Sequence, residues 1–159
     1  MPKYTDARNA QLVIALLKEY GIRNIIASPG TTNVPFVYSV QNDSFFNIYS
    51  AIDERSAAYM ACGLAAESGG PVVLSCTGAT ASRDYMPGLT EAFYRKLPVL
   101  ALTSMHFTED IGNLSTQIPS FRYLMASSTG ITSASLKKAA CITMLIRLPS
   151  PTSPAIFHA

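Results

Sequence analysis

Three short stretches of the chain bring together residue types that could do chemistry. They are Ser28-Pro29-Gly30-Thr31-Thr32-Asn33, Asp53-Glu54-Arg55 and Thr77-Gly78-Ala79-Thr80. The first and third offer hydroxyl groups and glycines, whose backbone is able to approach a ligand closely. The middle stretch offers Glu54, a candidate catalytic carboxylate if it is held in a dry cleft, where apolar surroundings tune its affinity for a proton.

A purely structural explanation exists for each stretch as well. Carboxylates are common where helices begin, since they accept hydrogen bonds from free backbone amides. Pro29-Gly30 suits a tight turn without any ligand. The first stretch contains neither G-x-x-x-x-G-K-[ST] nor G-x-G-x-x-G, which disfavours a Rossmann-like nucleotide binder. Ser82 lies outside any G-x-S-x-G motif, which disfavours a serine nucleophile.

The segments between these stretches alternate between predicted strands and helices. Apolar residues at helical spacing predict a first helix that Thr5 caps and Gly21 ends. Short apolar runs predict four strands, at residues 24–28, 45–52, 71–76 and 98–103. We expect further helices at residues 34–40, at 53–66, and as one helix from the third stretch to about Tyr94.

The predicted strands are continuously apolar, which is typical of a parallel sheet buried on both faces. Because helices lie between the strands, the sequence predicts an α/β fold, a parallel sheet with helices on both faces. Ligands in such folds bind at the carboxyl ends of the strands. The three stretches follow the first three predicted strands, so we expect them to lie side by side at that edge of the sheet.

Composition narrows the class of protein. Of 159 residues, 48% are hydrophobic and 14% are charged, which is typical of a folded globular domain. The formal net charge is only +2 and no basic run with interleaved aromatics occurs, so nucleic acid is not an expected partner. No apolar stretch reaches about 18 residues and no signal core opens the chain, so we expect a cytoplasmic protein without a membrane partner.

Cysteine and histidine are too few and too scattered to predict a metal site in the chain. The cysteines are Cys62, Cys76 and Cys141, and the histidines are His106 and His158. Their separations match no zinc motif. An odd number of distant cysteines also gives no disulfide framework, which fits a reducing compartment.

Taken together, the motifs of residues 5–104 resemble the N-terminal, pyrimidine-binding domain of thiamine-diphosphate enzymes. The likeness is to the acetolactate synthase-like group, which includes the succinyl-hydroxycyclohexadiene carboxylate synthases of menaquinone biosynthesis. It rests on the order and spacing of Ser28-Pro29-Gly30, Asp53-Glu54-Arg55-Ser56-Ala57-Ala58, Gly70-Pro71-Val72-Val73, Cys76-Thr77-Gly78 and Pro87-Gly88-Leu89. One departure is that the family's third loop often reads Thr-Ser-Gly, where this chain has Thr77-Gly78-Ala79.

The resemblance implies roles for the residues that match. In the family, a glutamate after the second strand binds the aminopyrimidine ring of thiamine diphosphate, and Glu54 occupies its place. Pro29 and Gly30 would lie near the pyrimidine, and Thr77 with Gly78 would line the same cleft. The implied reaction is that of a carboligase or decarboxylase acting on a 2-keto acid, with the cofactor as electron sink.

The resemblance also implies a second half that binds the diphosphate. Family members hold it through Mg²⁺ at a Gly-Asp-Gly motif, and this chain contains no Gly-Asp dipeptide. We therefore expect Mg²⁺ to be bound by another domain or chain, and the partner to be a second copy in a homo-oligomer or a complementary diphosphate-binding chain. Two alternatives stay open: the small subunit of a two-chain decarboxylase, and a non-catalytic remnant or regulatory module. Alone, the chain is expected to be inactive.

The end of the sequence differs in composition from the rest. All ten acidic residues lie at or before Asp110, and residues 111–159 contain none. We therefore divide the chain into a domain body at residues 3–110 and an aberrant tail at 111–159. The tail is either the truncated end of the same domain or the product of a shifted reading frame. Within it, residues 136–148 read as one helix, and the prolines from Pro149 onward exclude regular structure beyond it.

Overall fold

A computed structural model describes residues 4–105 and 141–147 of the chain. In these ranges the helices are α1 (Arg8–Glu19), α2 (Val34–Gln41), α3 (Glu54–Ser68), α4 (Ala79–Asp84) and α5 (Met86–Tyr94). The strands are β1 (Asn24–Ala27), β2 (Asn47–Ser50), β3 (Val72–Cys76), β4 (Val99–Met105) and β5 (Cys141–Arg147). A short 3₁₀ helix, Thr31–Asn33, leads directly into α2.

The described strands form one parallel sheet in the order β2-β1-β3-β4-β5. β1 pairs with β2 on one side and β3 on the other, so that Ile25 is level with both Ile48 and Val73. β4 continues the sheet beside β3, and β5 pairs with β4. The predicted α/β fold with a parallel sheet is confirmed.

Successive residues of β1, β3 and β4 enter two separate cores, because side chains alternate between the faces of a sheet. On one face, α1 and α2 cover the sheet, and Val13, Ile25 and Phe36 belong to the same core. On the other face, α3 and α5 cover it, and Ile26 and Ala61 belong to the second core. Helices therefore lie on both faces, as the sequence predicts. Alanine predominates on the buried side of α3, which lets that helix lie close to the sheet.

The start of α1 differs from the prediction. The residue that precedes the helix is Ala7, and Thr5 lies two residues earlier. The Thr5 hydroxyl accepts a hydrogen bond from the Ala7 backbone amide (3.1 Å), so it stabilises the turn before the helix and is not the cap. At the other end the prediction holds, because Gly21 has φ +69°, a conformation that favours glycine.

The single helix predicted between the third stretch and Tyr94 is wrong, since the structure has α4 and α5 with Tyr85 between them. Pro87 is the physical reason. It has no backbone N–H to donate to the carbonyl one turn earlier, and proline is favoured in the first turn of a helix. The chain therefore restarts at Met86 as a second helix.

The helix predicted at residues 136–148 is also wrong where the structure describes it. Cys141–Arg147 is strand β5, with Cys141 level with Val99 and Arg147 level with Met105. The β4 edge offers unpaired backbone amides and carbonyls to this segment, and three of its seven residues are β-branched, which favours a strand. The domain boundary predicted at residue 110 lies outside the described residues.

The α3 and α5 helices touch backbone to backbone at Gly88. A Cβ atom added to Gly88 would lie 2.5 Å from the Ala58 Cβ and 2.9 Å from the Ala58 carbonyl carbon. Distances this short require a backbone to move. Gly63, which lies in the middle of α3, has open space around the same position.

We predict opposite effects for the same substitution at these two glycines. Gly88→Ala should lower the free energy of unfolding by about 1–3 kcal/mol, because α3 and α5 are forced apart. Gly63→Ala should raise it by about 0.5–1 kcal/mol, because alanine restricts the unfolded chain and favours helix. Urea denaturation followed by circular dichroism measures both. Equal effects at the two positions would contradict this packing.

One polar cluster ties the N-terminal segment to the α2–β2 turn. The Asp43 carboxylate accepts hydrogen bonds from the Tyr4 hydroxyl and the Phe45 amide, and pairs with the Lys18 ammonium at 2.5 Å. Burial by itself would raise the pKa of Asp43, but the hydrogen bonds from Lys18 and Tyr4 outweigh it and lower the pKa to about 2.

The Asp43 cluster should make stability pH-dependent on the acid side. A carboxyl group with a lowered folded-state pKa stabilises the fold above its unfolded pKa, and that contribution is lost as the pH falls from about 4 to about 2. We expect a loss of about 1 kcal/mol, since solvent screens the partly exposed Lys18. Asp43→Asn should remove this component from unfolding curves measured between pH 5 and pH 2. An unchanged slope in the variant would contradict the assignment.

Candidate functional site

The three candidate stretches lie side by side at one edge of the sheet. The first follows β1, the second follows β2 and the third follows β3, and these strands are neighbours in the order β2-β1-β3. All three strands are parallel, so their carboxyl ends meet at the same edge. The structure therefore brings together residues that are nearly fifty positions apart in sequence, as from Ser28 to Thr77.

The first and third stretches touch each other at Gly30 and Thr77. A Cβ atom on Gly30 would lie only 2.4 Å from the Thr77 Cγ2 methyl. Gly30 has φ −167° and ψ 175°, which is extended backbone that any residue adopts. Glycine is therefore required here for space, so that the turn and the Thr77 side chain fit together. Pro29 is exposed beside them, Thr77 is half-buried, and Gly78 is buried at the start of α4.

The two adjacent carboxylates of the second stretch have different roles. Asp53 caps α3: its Oδ2 accepts hydrogen bonds from the Ser56 amide (2.8 Å) and the Ser56 hydroxyl (2.6 Å). These hydrogen bonds hold the pKa of Asp53 below its ordinary value. Glu54 is the first residue of α3 and is half-buried. Among the described residues, no hydrogen bond or ion pair involves the Glu54 carboxylate.

Asn33 fixes the first stretch and was not singled out by sequence reasoning. Its side chain is fully buried. The Nδ2 donates to the Ser28 carbonyl (3.1 Å) and to the Ser75 hydroxyl (3.2 Å), and the Oδ1 accepts from the Gly30 amide (2.8 Å). Asn33 thereby joins both ends of the turn to β3. Although Asn33 directly precedes α2, its side chain makes no capping hydrogen bond to that helix and points back into the turn.

Thr32 adds a second connection from the same turn. Its hydroxyl donates to the Ser104 carbonyl at 2.9 Å, and both residues are buried. The first stretch is therefore fixed to β3 through Asn33 and to β4 through Thr32. A ligand at this edge of the sheet would meet a turn whose shape is already set.

Two buried side chains, Tyr85 and Cys76, lie within electrostatic range of Glu54. Sequence reasoning gave Tyr85 no role and named Cys76 only as a cysteine and as part of a motif. Each side chain is fully buried. Burial raises the pKa of Cys76 to about 12 and raises the pKa of Tyr85 well above its ordinary value, so both groups are neutral. The negative charge of Glu54 adds to both increases, so the carboxylate lies within electrostatic range of them. The signal available in sequence was Pro87, which favours a helix start and so indicates a break close to Tyr85.

Two features are absent from the residues that the structure describes. No three His, Cys, Asp or Glu side chains in the described ranges are grouped so that they could hold a metal ion. Helices long and apolar enough to cross a membrane are absent from the same part of the chain.

Comparison with known proteins identifies similar sequences in one biosynthetic enzyme. The chain is 36% identical over 114 residues to the 2-succinyl-5-enolpyruvyl-6-hydroxy-3-cyclohexene-1-carboxylate synthase of Phocaeicola vulgatus, which covers 72% of this chain and 20% of that protein. The synthase of the same name from Porphyromonas gingivalis is 41% identical over 101 residues, or 64% of this chain and 18% of the relative. The chain thus spans about a fifth of the length of these relatives.

Solved structures share the fold. The benzoylformate decarboxylase of Polynucleobacter necessarius superposes with a TM-score of 0.69 at 17% identity, and the match covers 95% of this chain and 32% of the decarboxylase. A 4-hydroxybenzoylformate decarboxylase described as thiamine diphosphate-dependent, from Rhodococcus jostii, gives the same TM-score of 0.69 at 14% identity. At such low identity the likeness concerns the fold alone.

The family itself is decided by a match along most of the chain. Residues 7–127 match the family described as thiamine pyrophosphate enzyme, N-terminal TPP binding domain. This range includes every candidate site residue and all described elements except β5. The resemblance identified from the motifs is confirmed: the chain belongs to the thiamine pyrophosphate enzyme family, of which it carries the N-terminal TPP-binding domain.

Proposed function

We propose that the chain is the aminopyrimidine-binding half of a thiamine-diphosphate-dependent carboligase or decarboxylase that acts on a 2-keto acid. Glu54 is its catalytic residue, and Pro29, Gly30, Thr77 and Gly78 line the cofactor cleft. In this proposal the chain is inactive until a complementary half supplies the diphosphate site and Mg²⁺.

The observation that carries the proposal is the difference between Asp53 and Glu54. Capping α3 requires one carboxylate, and Asp53 meets that need with two hydrogen bonds from Ser56. Glu54 is therefore not needed to begin the helix, and no described residue pairs with its carboxylate. A half-buried carboxylate without a protein partner is suited to bind a ligand group.

The packing of the first turn supports the proposal as well. The Gly30–Thr77 contact leaves no room for a side chain at position 30, so the backbone of this turn is not covered by a side chain of its own there. Asn33 and Thr32 hold that turn in place, which reduces the cost of ordering it around a ligand. The aminopyrimidine ring is flat and carries two ring nitrogens and an amino group, and a single carboxylate is able to share a proton with one of the ring nitrogens.

The chain's own residues would do three things. Glu54 would hold the pyrimidine ring through its carboxylate and share a proton with the ring nitrogen. The Pro29-Gly30 turn and the Thr77-Gly78 turn would orient the ring and exclude water from it. When bound, thiamine diphosphate supplies the electron sink that decarboxylation of a 2-keto acid requires.

The partner in this proposal is a second copy of the chain or a complementary diphosphate-binding chain. Large apolar side chains are exposed near the site on α3 and the segment before it: Ile52 is fully exposed, and Tyr59 and Met60 are 46% and 45% exposed. Exposed apolar groups that cluster in this way are typical of protein interfaces. Mg²⁺ would be bound in that partner, since the described residues offer no group of ligands for it.

A second candidate function is that of a non-catalytic binding or regulatory module. The chain spans about a fifth of the relatives' length, which is compatible with such a module. It is equally compatible with the small subunit of a two-chain decarboxylase.

In either case residues 3–110 form the domain body. We assign residues 111–159 to the end of the same domain, supported by the pairing of β5 with β4. Reading the coding DNA in all three frames tests the alternative of a shifted frame.

The proposal predicts that the chain binds the aminopyrimidine fragment of the cofactor through Glu54. Titration of ¹⁵N-labelled chain with 4-amino-5-hydroxymethyl-2-methylpyrimidine should shift the amide signals of Gly30, Glu54 and Gly78, with a dissociation constant of about 1 mM. Glu54→Gln should weaken binding about tenfold or more, because it cannot share a proton with the ring nitrogen. The fragment needs no diphosphate site, so the complementary half is not required for this measurement.

Asp53→Asn is the matched control for Glu54→Gln. It removes the neighbouring charge and weakens the α3 cap, so the thermal midpoint should fall while the dissociation constant of the fragment stays the same. The reverse pattern, with binding lost in Asp53→Asn and kept in Glu54→Gln, would show that the wrong carboxylate has been assigned. Shifts confined to residues outside the three stretches would refute the cleft itself.

A further prediction concerns the complete cofactor. Mg²⁺ and its protein ligands anchor the diphosphate, and in this proposal those ligands lie in the complementary half. The chain alone should therefore bind thiamine diphosphate with Mg²⁺ with a dissociation constant of about 0.1 mM or higher. Isothermal titration calorimetry, with and without EDTA, measures this. A dissociation constant in the low micromolar range that EDTA abolishes would mean that the chain holds the metal itself.

A further inference from the structure

The core between the sheet and helices α3 and α5 is built mostly from small side chains, and Tyr85 is the exception. Nine of the fifteen buried residues described in this core are alanine or cysteine. Tyr85 is the largest of the fifteen, and it is fully buried at the junction between α4 and α5. Because protein interiors are close-packed, the distance between the helices and the sheet at this point depends on the volume of one side chain.

Tyr85 lies toward the end of α3 that carries Glu54. Gly88 meets α3 at Ala58, in the second turn of that helix, and Tyr85 comes three residues before Gly88 in the chain. Burial is the main cause of the raised pKa of Tyr85, and the negative charge of Glu54 raises that pKa further. The Tyr85 side chain is therefore close to the first turn of α3, where the candidate carboxylate begins the helix.

The hydroxyl of Tyr85 reaches the strands that carry the other two stretches. Its contacts there are with the side chains of Cys76, the last residue of β3, and of Ser28, which directly follows β1. Both of these side chains are buried. One tyrosine thus connects the α4–α5 junction with the Ser28-Pro29-Gly30 turn and with the strand that precedes the third stretch.

We propose that Tyr85 is a positioning residue of the candidate site: its ring sets the distance of Glu54 from the sheet, and its hydroxyl holds the Ser28-Pro29-Gly30 turn. The hydrogen bonds of Asn33 and Thr32 fix that turn to β3 and β4. Tyr85 adds the connection between the turn and the helix that bears the carboxylate. Because its side chain is fully buried, it does not touch a ligand and acts only through these neighbours.

Replacing Tyr85 with a smaller side chain tests the role of the ring. Tyr85→Leu leaves space in the core, so α3 should shift and carry Glu54 with it. In the ¹⁵N spectrum of the full chain without ligand, the amide signals of Glu54 and Gly30 should move. The dissociation constant of 4-amino-5-hydroxymethyl-2-methylpyrimidine should rise about tenfold, because the carboxylate no longer meets the ring nitrogen in the same geometry. The binding measurement rests on the proposed function, whereas the spectrum of the free chain does not.

Leu89→Ala is the matched control for Tyr85→Leu. Leu89 is 5% exposed, belongs to the same core and lies one helical turn further into α5. Its truncation also leaves a cavity, so it should lower the urea midpoint at least as much. The amide signals of Glu54 and Gly30 and the dissociation constant should stay as they are in the unaltered chain. If Tyr85→Leu changed only the urea midpoint, Tyr85 would be a core residue alone and the proposal would be overturned.

Tyr85→Phe tests the hydroxyl, and it decides the question if the leucine variant does not fold. The ring is retained, so the Glu54 amide signal should stay, the Gly30 signal should move, and the dissociation constant should rise about threefold. Ser28→Ala removes the other side of the contact and should give the same rise, with no further rise in the double variant. Two effects that multiply to about ninefold, or a Gly30 signal that stays in Tyr85→Phe, would overturn the proposal.

The two measurements separate this inference from the proposed function. If the unaltered chain does not bind the pyrimidine fragment at all, the proposed function fails. The Glu54 and Gly30 amide signals of the Tyr85 variants, read against those of Leu89→Ala, then still decide whether Tyr85 positions the site.

Discussion

The parallel pairing of β1 with both β2 and β3 is the constraint on which the site depends. Ile25 is level with Ile48 on one side and with Val73 on the other, so the three strands end at the same height. Only this arrangement places Glu54 and the Gly30–Thr77 contact at one edge of the sheet. A strand inserted between β1 and either neighbour would separate the carboxylate from the turns that line the cleft by about 5 Å or more.

The site also depends on a division of work between neighbouring residues. A helix that begins at the site needs a residue to cap it. A carboxylate that binds a ligand must not also be used as that cap. Asp53 takes the capping role through Ser56, which leaves Glu54 for other contacts. In the first stretch, Gly30 makes room for Thr77 while Asn33 holds the backbone. A preorganised binding site requires a backbone that is held in place and side chains that are left unpaired for the ligand.

The exposed surface is consistent with a domain that functions in contact with another. Ile52 is fully exposed directly before Asp53, and Tyr59 and Met60 continue the apolar surface along α3. The same helix that presents Glu54 thus presents apolar side chains outward, while its alanines face the sheet. In the proposed function, a partner that covered this surface would contact the helix that begins at Glu54 and would help to exclude water from the cofactor.

The sequence by itself determined the α/β class and the positions of the strands in the domain body, because a buried parallel sheet requires continuous apolar runs. Strand β2 departs from this pattern, since its residues are mostly exposed. The ends of elements were less predictable: Thr5 is not the cap of α1, Pro87 divides a predicted helix, and residues 141–147 form β5. The apolar residues of that last segment suit a helix as well as a strand. The segment forms a strand because it pairs with the backbone of β4 at the edge of the sheet. Only the tertiary structure identified Asn33 and Tyr85, since their importance lies in contacts with residues far away in sequence, and no local pattern encodes such contacts.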